Sequence, residues 1–186
     1  MHIVAILGSR DHPGRTAQAT YALLQGASQT KSTTGGIFLT EKKIERCRQC
    51  EDTGWGICRT EGRCVIEDDF AAVVDTIKAA DAVVFATPVY FSDLSESMRA
   101  FLDRLRRTCM HEAGRRGIAD KPAIGVCVAG GGGGGAPSCA VSLEKIVSRC
   151  GFDVVDMIPV RRQNLEMKKE LLGIVGRWLT TRPSSG

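Results

Sequence analysis

No apolar run in this 186-residue chain approaches the length of a membrane-spanning helix, and its first residues lack the charged and apolar regions of a signal peptide. Aromatic residues make up only 5% of the chain, and no nucleic-acid-binding motif is present. These absences argue against a membrane protein, a secreted protein and a nucleic-acid-binding protein. We therefore expect a cytoplasmic enzyme or binding protein with a single domain over residues 1–186, and neither a membrane nor a nucleic acid as its partner.

Two common nucleotide-binding motifs are also missing. Five residues separate Gly8 from Gly14 where a nucleotide-hydrolysing phosphate loop has four, and Arg15 replaces its lysine. The closely spaced glycines of the dinucleotide fingerprint are absent as well. What remains is a short apolar strand over residues 2–7, a turn with hydroxyls and arginines, and the start of a helix. Such a turn favours a phosphate, most simply that of a mononucleotide such as FMN, and the alternative is an ordinary capped turn.

Strand and helix patterns alternate five times along the chain. The apolar strand segments lie at residues 2–7, 37–40, 81–86, 122–129 and 152–159, and residues 30–36 have the composition of a turn. This alternation predicts a parallel sheet with helices on both faces. With five strands and no internal repeat, we predict an α/β flavodoxin-like three-layer sandwich with strand order 2-1-3-4-5. Ligands of such sheets bind beyond the carboxyl ends of the strands, where the strand order reverses.

Two further loops follow strands at the same predicted edge. One is the loop of residues 87–92, in which Pro88 restricts the backbone and Tyr90 and Phe91 offer an aromatic wall to a planar ring. The other is a run of six glycines, Gly130–Gly135, whose missing side chains would let a flat ligand lie against the backbone. The alternatives are that the aromatic residues plug the end of the sheet and that the glycines form a flexible linker.

Eight cysteines are many for a cytosolic chain of this size, and four of them lie within 18 residues: Cys47, Cys50, Cys58 and Cys64. They belong to a stretch of about residues 41–66 that has no sustained periodicity, which we interpret as an excursion from the core. Four thiolates close in sequence suit an iron-sulfur cluster or zinc, and metal-free thiols or a disulfide remain open. The other four cysteines lie among apolar residues and are expected to be buried structural thiols.

Together these motifs resemble the NADPH-dependent FMN reductase family of flavodoxin-like proteins, and within it the iron-sulfur flavoproteins, over nearly the whole chain. Gly8-Ser9-Arg10 with Gly14-Arg15-Thr16 matches the phosphate loop, and Thr87-Pro88-Val89-Tyr90-Phe91 matches the ring-binding loop. Ala129 with the glycines matches the third loop. The resemblance implies that FMN binds to Ser9, Arg10, Gly14, Arg15, Thr16, Thr87, Pro88, Val89, Tyr90, Phe91, Ala129, Gly130, Gly131 and Gly132.

The resemblance also bears on the clustered cysteines. In the iron-sulfur flavoproteins a compact cysteine motif, followed by an Asp-Asp pair, holds a 4Fe-4S cluster. Here Cys47-x2-Cys50 opens the motif, and Cys58-x5-Cys64 closes it before Asp68-Asp69. Seven residues stand between the second and third cysteines where the family motif has two, so five residues are inserted and Thr53 occupies the third ligand's expected place.

By the same resemblance, the protein is either an NAD(P)H-dependent flavin or quinone reductase or an iron-sulfur flavoprotein that relays electrons. Its FMN accepts hydride from NAD(P)H and passes electrons to a small-molecule or protein acceptor, and the protein forms a homodimer or homotetramer. No side chain is predicted to be catalytic, because the flavin carries the chemistry. One alternative is a non-enzymatic flavodoxin-like electron carrier, although such carriers are usually acidic and this chain has a net charge of +4. Another is a zinc-stabilised interaction domain without flavin.

Overall fold

The computed structural model describes residues 1–182, so residues 183–186 of the predicted domain lie outside the described residues. Five strands form one sheet in the order β2-β1-β3-β4-β5, and every neighbouring pair is parallel. This confirms the strand order predicted for a flavodoxin-like sheet. The strands are β1 (His2–Leu7), β2 (Thr33–Phe38), β3 (Ala82–Pro88), β4 (Pro122–Ala129) and β5 (Asp153–Arg161).

Helices cover both faces of the sheet. They are α1 (Arg15–Ser28), α2 (Ile57–Thr60), α3 (Phe70–Ala79), α4 (Glu96–Thr108), α5 (Glu112–Arg115), α6 (Ala136–Cys150) and α7 (Leu165–Thr181), with 3-10 turns at Leu39–Glu41 and Arg162–Asn164. Helices α1 and α7 pack on one face, and α3, α4 and α6 pack on the other. Within residues 1–182 no helix combines the length and the apolar character needed to cross a membrane.

Each core is built by the period-two pattern of the strands. In β1, Ile3 and Leu7 pack against α1 and α7, whereas Val4 and Ile6 face the helices of the opposite layer. Both faces are therefore apolar, as expected for a central parallel strand. The four scattered cysteines lie in the core beside α3, α4 and α6 without solvent exposure, as expected for structural thiols: Cys109, Cys127, Cys139 and Cys150.

Strand β2 corrects the turn predicted for residues 30–36. The strand begins at Thr33, includes Gly35 and Gly36, and pairs with β1 from His2 to Leu7. Residues 39–41 form a 3-10 turn instead of the end of the strand. The prediction of a turn was wrong because an edge strand is held by backbone hydrogen bonds to its neighbour, which glycine provides as well as any other residue.

Candidate functional site

The three candidate loops meet beyond the carboxyl ends of β1, β3 and β4. The amide of Gly8 donates to the carbonyl of Ala86 (2.8 Å), and the amide of Val89 donates to the carbonyl of Val128 (3.0 Å). These bonds continue the sheet into the loops. Between the loops lies an open cleft of about 460 Å³, a volume within the usual range for small-molecule sites.

The first loop offers hydrogen-bond donors to an anion. Helix α1 starts at Arg15 with Gly14 as an extended cap, so the amides of its first turn have no carbonyl partner within the helix. The hydroxyl of Ser9 is largely buried and accepts a hydrogen bond from the amide of Asp11 (3.2 Å). Within residues 1–182, the Arg15 guanidinium makes no hydrogen bond or ion pair and lines the cleft. This end of the cleft can therefore bind a phosphate.

Two serines at the start of α4 hold the first loop in place. The Ser95 and Ser97 hydroxyls both donate to the carbonyl of Gly8, at 2.8 and 3.1 Å. A Cβ on Gly8 would lie 2.5 Å from Ser95 Oγ and 2.9 Å from Met98 Cβ, so this close approach requires glycine. The sequence reasoning missed both serines. The available signal was that Ser95 directly precedes an amphipathic segment, which is typical of a helix N-cap.

The second loop is a tight turn at the end of β3. Tyr90 and Asp93 exchange two backbone hydrogen bonds of 2.9 Å, which leaves Phe91 and Ser92 at the tip with φ angles of 48° and 64°. The left-handed region is unfavourable for such residues, so neighbouring contacts must hold the turn in this form. Tyr90 lines the cleft, whereas the Phe91 side chain is fully exposed.

The glycine run is a defined turn. Gly131, Gly133 and Gly135 have φ angles of 28°, 78° and 79°, a conformation that favours glycine. The amide of Gly133 donates to the carbonyl of Gly130 (2.9 Å), and Gln163 Nε2 donates to the carbonyl of Gly132 (3.0 Å). These bonds and backbone angles give the loop a specific path along the cleft.

Most of the predicted flavin-site residues share this cleft. Those that line it are Ser9, Gly14, Arg15, Thr16, Pro88, Val89, Tyr90, Ala129, Gly130, Gly131 and Gly132. Three predicted residues lie elsewhere: Arg10 is exposed outside the lining, Phe91 extends into solvent, and Thr87 is buried, where its hydroxyl accepts from the Ser95 amide (3.1 Å). The lining also includes Gly133 and Gly134 of the predicted glycine run, and it includes Asp11 and Val128, which were not among the predicted flavin-binding residues.

The four clustered cysteines form a second candidate site. Cys47, Cys50, Cys58 and Cys64 are all half-buried and line a single small pocket together with Arg104 and Arg107. Four soft donors on one pocket suit a sulfur-liganded metal group. The cavity volume is only about 20 Å³, and among residues 1–182 no three cysteine, histidine or acidic side chains are arranged to hold a metal ion. The donor set fits such a group, and binding it requires the excursion to move.

The inserted residues between the second and third cysteines are anchored to α4. Arg107 Nη1 donates to the carbonyl of Gly54 (2.8 Å), and its guanidinium lies 4.3 Å from the centroid of the Trp55 ring. Arg59 lies 5.5 Å from the same ring. The contacts bring the chain back to α4 before Cys58, so the wider spacing still leaves this thiol on the shared pocket.

Behind the cysteines lies a buried ion pair. The side chains of Arg104 and Asp68 are 1% and 0% exposed, and two hydrogen bonds of 2.6 and 2.9 Å join them. Asp68 also accepts from the amides of Glu45 (2.8 Å) and Phe70 (3.1 Å). Burial raises the pKa of Asp68, but the hydrogen bonds from Arg104 and the two amides outweigh it, so the net pKa is lowered.

Helix α4 connects the two candidate sites. Its N-cap, Ser95, holds the loop of Gly8, and its later residues Arg104 and Arg107 line the cysteine pocket. At 1.5 Å per residue, Ser95 and Arg104 are about 14 Å apart along the helix axis. Arg99 Nη2 donates to both carboxylate oxygens of Asp93 (2.7 and 2.6 Å), and this ion pair ties the first half of the helix to the second loop. One rigid element therefore positions parts of both sites.

Comparison with known proteins gives sequence matches over most of the chain. The sequence model of the NADPH-dependent FMN reductase family matches residues 1–167. An iron-sulfur flavoprotein of Archaeoglobus fulgidus is 31% identical over 105 residues, which are 56% of this chain and 46% of that protein. An iron-sulfur flavoprotein of Methanocaldococcus jannaschii is 28% identical over 131 residues, covering 70% and 65%. The chain thus spans about half to two thirds of the length of these relatives.

Among solved structures, an NAD(P)H:quinone oxidoreductase from Methanothermobacter marburgensis superimposes with a TM-score of 0.72. The match covers 100% of this chain and 99% of that one, at 19% sequence identity. At this identity the likeness shows a shared fold, and it agrees with the order of the strands in the sheet.

Proposed function

The chain belongs, as its motifs predict, to the NADPH-dependent FMN reductase family, and on that premise we propose that it is an FMN-binding oxidoreductase that uses NAD(P)H. The observation that carries this proposal is the cleft at the carboxyl edge of β1, β3 and β4, which combines a phosphate-binding helix start with a flat glycine wall. FMN, when bound, supplies the hydride and electron chemistry. The residues of the chain bind it, orient it and leave one side of the cleft open to the second substrate.

The FMN phosphate is assigned to the first loop. Support comes from the first-turn amides of α1, the buried Ser9 hydroxyl and the Arg15 guanidinium at the same end of the cleft. The isoalloxazine ring is assigned to the other end, against Tyr90 and the turn of residues 130–134. Residues 130–134 are all glycine and have no side chains, so a planar ring can approach their backbone closely.

Cys47, Cys50, Cys58 and Cys64 are assigned as the residues that would hold a 4Fe-4S cluster, which would supply one-electron transfer between the flavin and a small-molecule or protein acceptor. Support comes from the shared pocket, from the positive charges of Arg104 and Arg107 on its wall, and from the iron-sulfur flavoproteins among the relatives. Cationic walls suit a group whose thiolate ligands bring negative charge. Zinc and metal-free thiols are the competing assignments for the same four residues.

The assembly is assigned as a cytoplasmic homodimer or homotetramer of single-domain chains, with the excursion of about residues 41–66 belonging to that domain. Hydrogen bonds from Arg104 to Glu45 and from Arg107 to Gly54 support the inclusion of the excursion. A row of exposed apolar side chains on α7, formed by Met167, Ile174 and Trp178, supports self-association.

FMN titration of purified apoprotein tests the proposal, with Arg15→Ala as the variant and the neighbouring Arg10→Ala as its control. Arg15 lines the cleft and Arg10 does not, so we expect Arg15→Ala to weaken FMN binding about tenfold or more and Arg10→Ala to leave it nearly unchanged. The wild-type holoenzyme should oxidise NAD(P)H, and iron should exceed zinc in protein purified without oxygen. No FMN uptake by the wild type would refute the central claim, whereas flavin without iron would refute only the cluster.

A further inference from the structure

Arg104 is a buried cation with one unused donor. Its two terminal nitrogens donate to Asp68, to the Glu45 carbonyl (3.1 Å) and to the Ile66 carbonyl (3.4 Å). Its Nε–H is buried and has no hydrogen-bond partner in residues 1–182. Leaving a buried donor of a charged group unpaired is unfavourable, so the position calls for an acceptor.

The available acceptor is sulfur. Arg104 and Cys64 both line the pocket that the four clustered cysteines share, so the Cys64 sulfur is a candidate acceptor for the unpaired Nε–H. Burial lowers the pKa of Arg104, but the hydrogen bond with Asp68 and the proximity of the Cys64 sulfur raise it more, so the guanidinium stays charged. A charged N–H beside a cysteine sulfur is a stronger donor than a neutral one.

The other arginines of the pocket wall are differently placed. Arg107 is committed to the carbonyl of Gly54 and to the Trp55 ring. Arg48 is 58% exposed and pairs with Glu45 at the surface. Arg104 is the buried arginine of this wall, and its orientation is fixed by a bidentate bond to a buried carboxylate, so its remaining N–H has little freedom.

We propose that Arg104 is a positioning residue that donates its Nε–H to the sulfur of Cys64 and thereby raises the reduction potential of the metal group held by the four cysteines. This inference rests on the cluster assignment in the proposed function. Hydrogen bonds to ligand sulfurs withdraw electron density and favour the reduced form, and an outer partner of this kind also orients the ligand. Asp68 then acts by fixing the orientation of the Arg104 guanidinium so that its Nε–H faces the pocket.

Arg104→Lys is the decisive variant, because lysine keeps the positive charge and can reach Asp68 but lacks the planar guanidinium that fixes an Nε–H toward the pocket while both terminal nitrogens bind elsewhere. Arg48→Lys is the matched control on the same wall. Both variants and the wild type are loaded with iron and sulfide, checked for fold by circular dichroism, and titrated electrochemically with the reduced cluster followed by electron paramagnetic resonance. We expect a midpoint potential more negative than that of the wild type in Arg104→Lys and an unchanged potential in Arg48→Lys.

An equal potential in wild type and Arg104→Lys, with equal iron content, overturns the inference. If Arg104→Lys does not fold or load, the double variant Arg104→Met with Asp68→Leu removes both buried charges together, which proteins often tolerate. A loaded double variant with a lowered potential supports the inference, and a double variant that folds without retaining iron reduces Arg104 to a structural role and overturns it. A wild type that binds FMN but no iron refutes the cluster assignment, and this inference with it, while the flavin site stands.

Discussion

Two neighbouring glycines, Gly134 and Gly135, are expected to differ in their tolerance to substitution by alanine. Gly135 caps α6 with a φ angle of 79°, and a Cβ there would lie 2.7 Å from the Cα of Ser92. Gly134 has no atom within 4 Å of the equivalent position. The second and third loops therefore touch through backbone at Gly135, and the shape of the cleft depends on that contact.

Gly135→Ala is expected to lower the free energy of unfolding by about 1–3 kcal/mol. The left-handed conformation is unfavourable for alanine, and its methyl group would clash with Ser92. Gly134→Ala, one residue earlier, should change it by less than about 0.5 kcal/mol. Urea unfolding of FMN-free protein makes the comparison without interference from cofactor binding. Equal stability of the two variants would show that the loops do not need this close contact.

Helix α4 and the loop inserted between Cys50 and Cys58 depend on each other through one aromatic contact. Trp55 stacks on Arg107 of the helix, and the adjacent Gly54 carbonyl accepts a hydrogen bond from the same guanidinium. The helix that follows the loop, α2, has only four residues. The position of Cys58 on the shared pocket therefore depends on this contact as well as on the spacing of the cysteines.

Trp55→Ala is therefore expected to speed amide hydrogen exchange over residues 51–58, while the unfolding free energy falls by no more than about 2 kcal/mol. The chain contains two tryptophans, and Trp178 on α7 is the control because it is distant in sequence and 46% exposed. Mass spectrometry of deuterium uptake locates the change. Exchange in the loop that is equally slow in both variants would contradict the anchoring role of Trp55.

Taken over the 182 described residues, the central strands were predictable and the tertiary contacts were not. The boundaries of β1 and β4 follow from apolar runs that end at a glycine, and these agree with the structure. In the edge strand β2 only the last two residues, Ile37 and Phe38, belong to the predicted apolar run, so its start at Thr33 is set by pairing with β1. The bond between Arg104 and Asp68 joins residues 36 apart, and no local pattern reports which buried carboxylate an arginine will meet.

The same buried pair makes the stability of the metal-free protein sensitive to acid. The folded pKa of Asp68 is below its ordinary value of 3.8, so the carboxylate contributes its full stabilisation above that value. As the pH falls through the lowered folded pKa, the carboxylate is protonated and this contribution is lost. We expect the unfolding free energy of the wild type to drop below about pH 4, measured by urea unfolding from pH 7 to pH 3.

Asp68→Asn isolates this contribution, with Asp93→Asn as the control. Replacing Asp68 leaves the Arg104 guanidinium buried without a counter-charge, which is expected to cost about 3–5 kcal/mol at pH 7. The deficit should shrink toward pH 3, because below pH 3.8 the wild type progressively loses the stabilisation that comes from the lowered pKa of Asp68. Burial raises the pKa of Asp93, but the hydrogen bond from the Leu94 amide and the ion pair with Arg99 outweigh it, so the net pKa is lowered. The Arg99–Asp93 pair is, however, partly exposed. Its replacement should cost less than about 1 kcal/mol. A deficit in Asp68→Asn that is the same at pH 7 and pH 3 would mean that the ion pair does not govern acid stability.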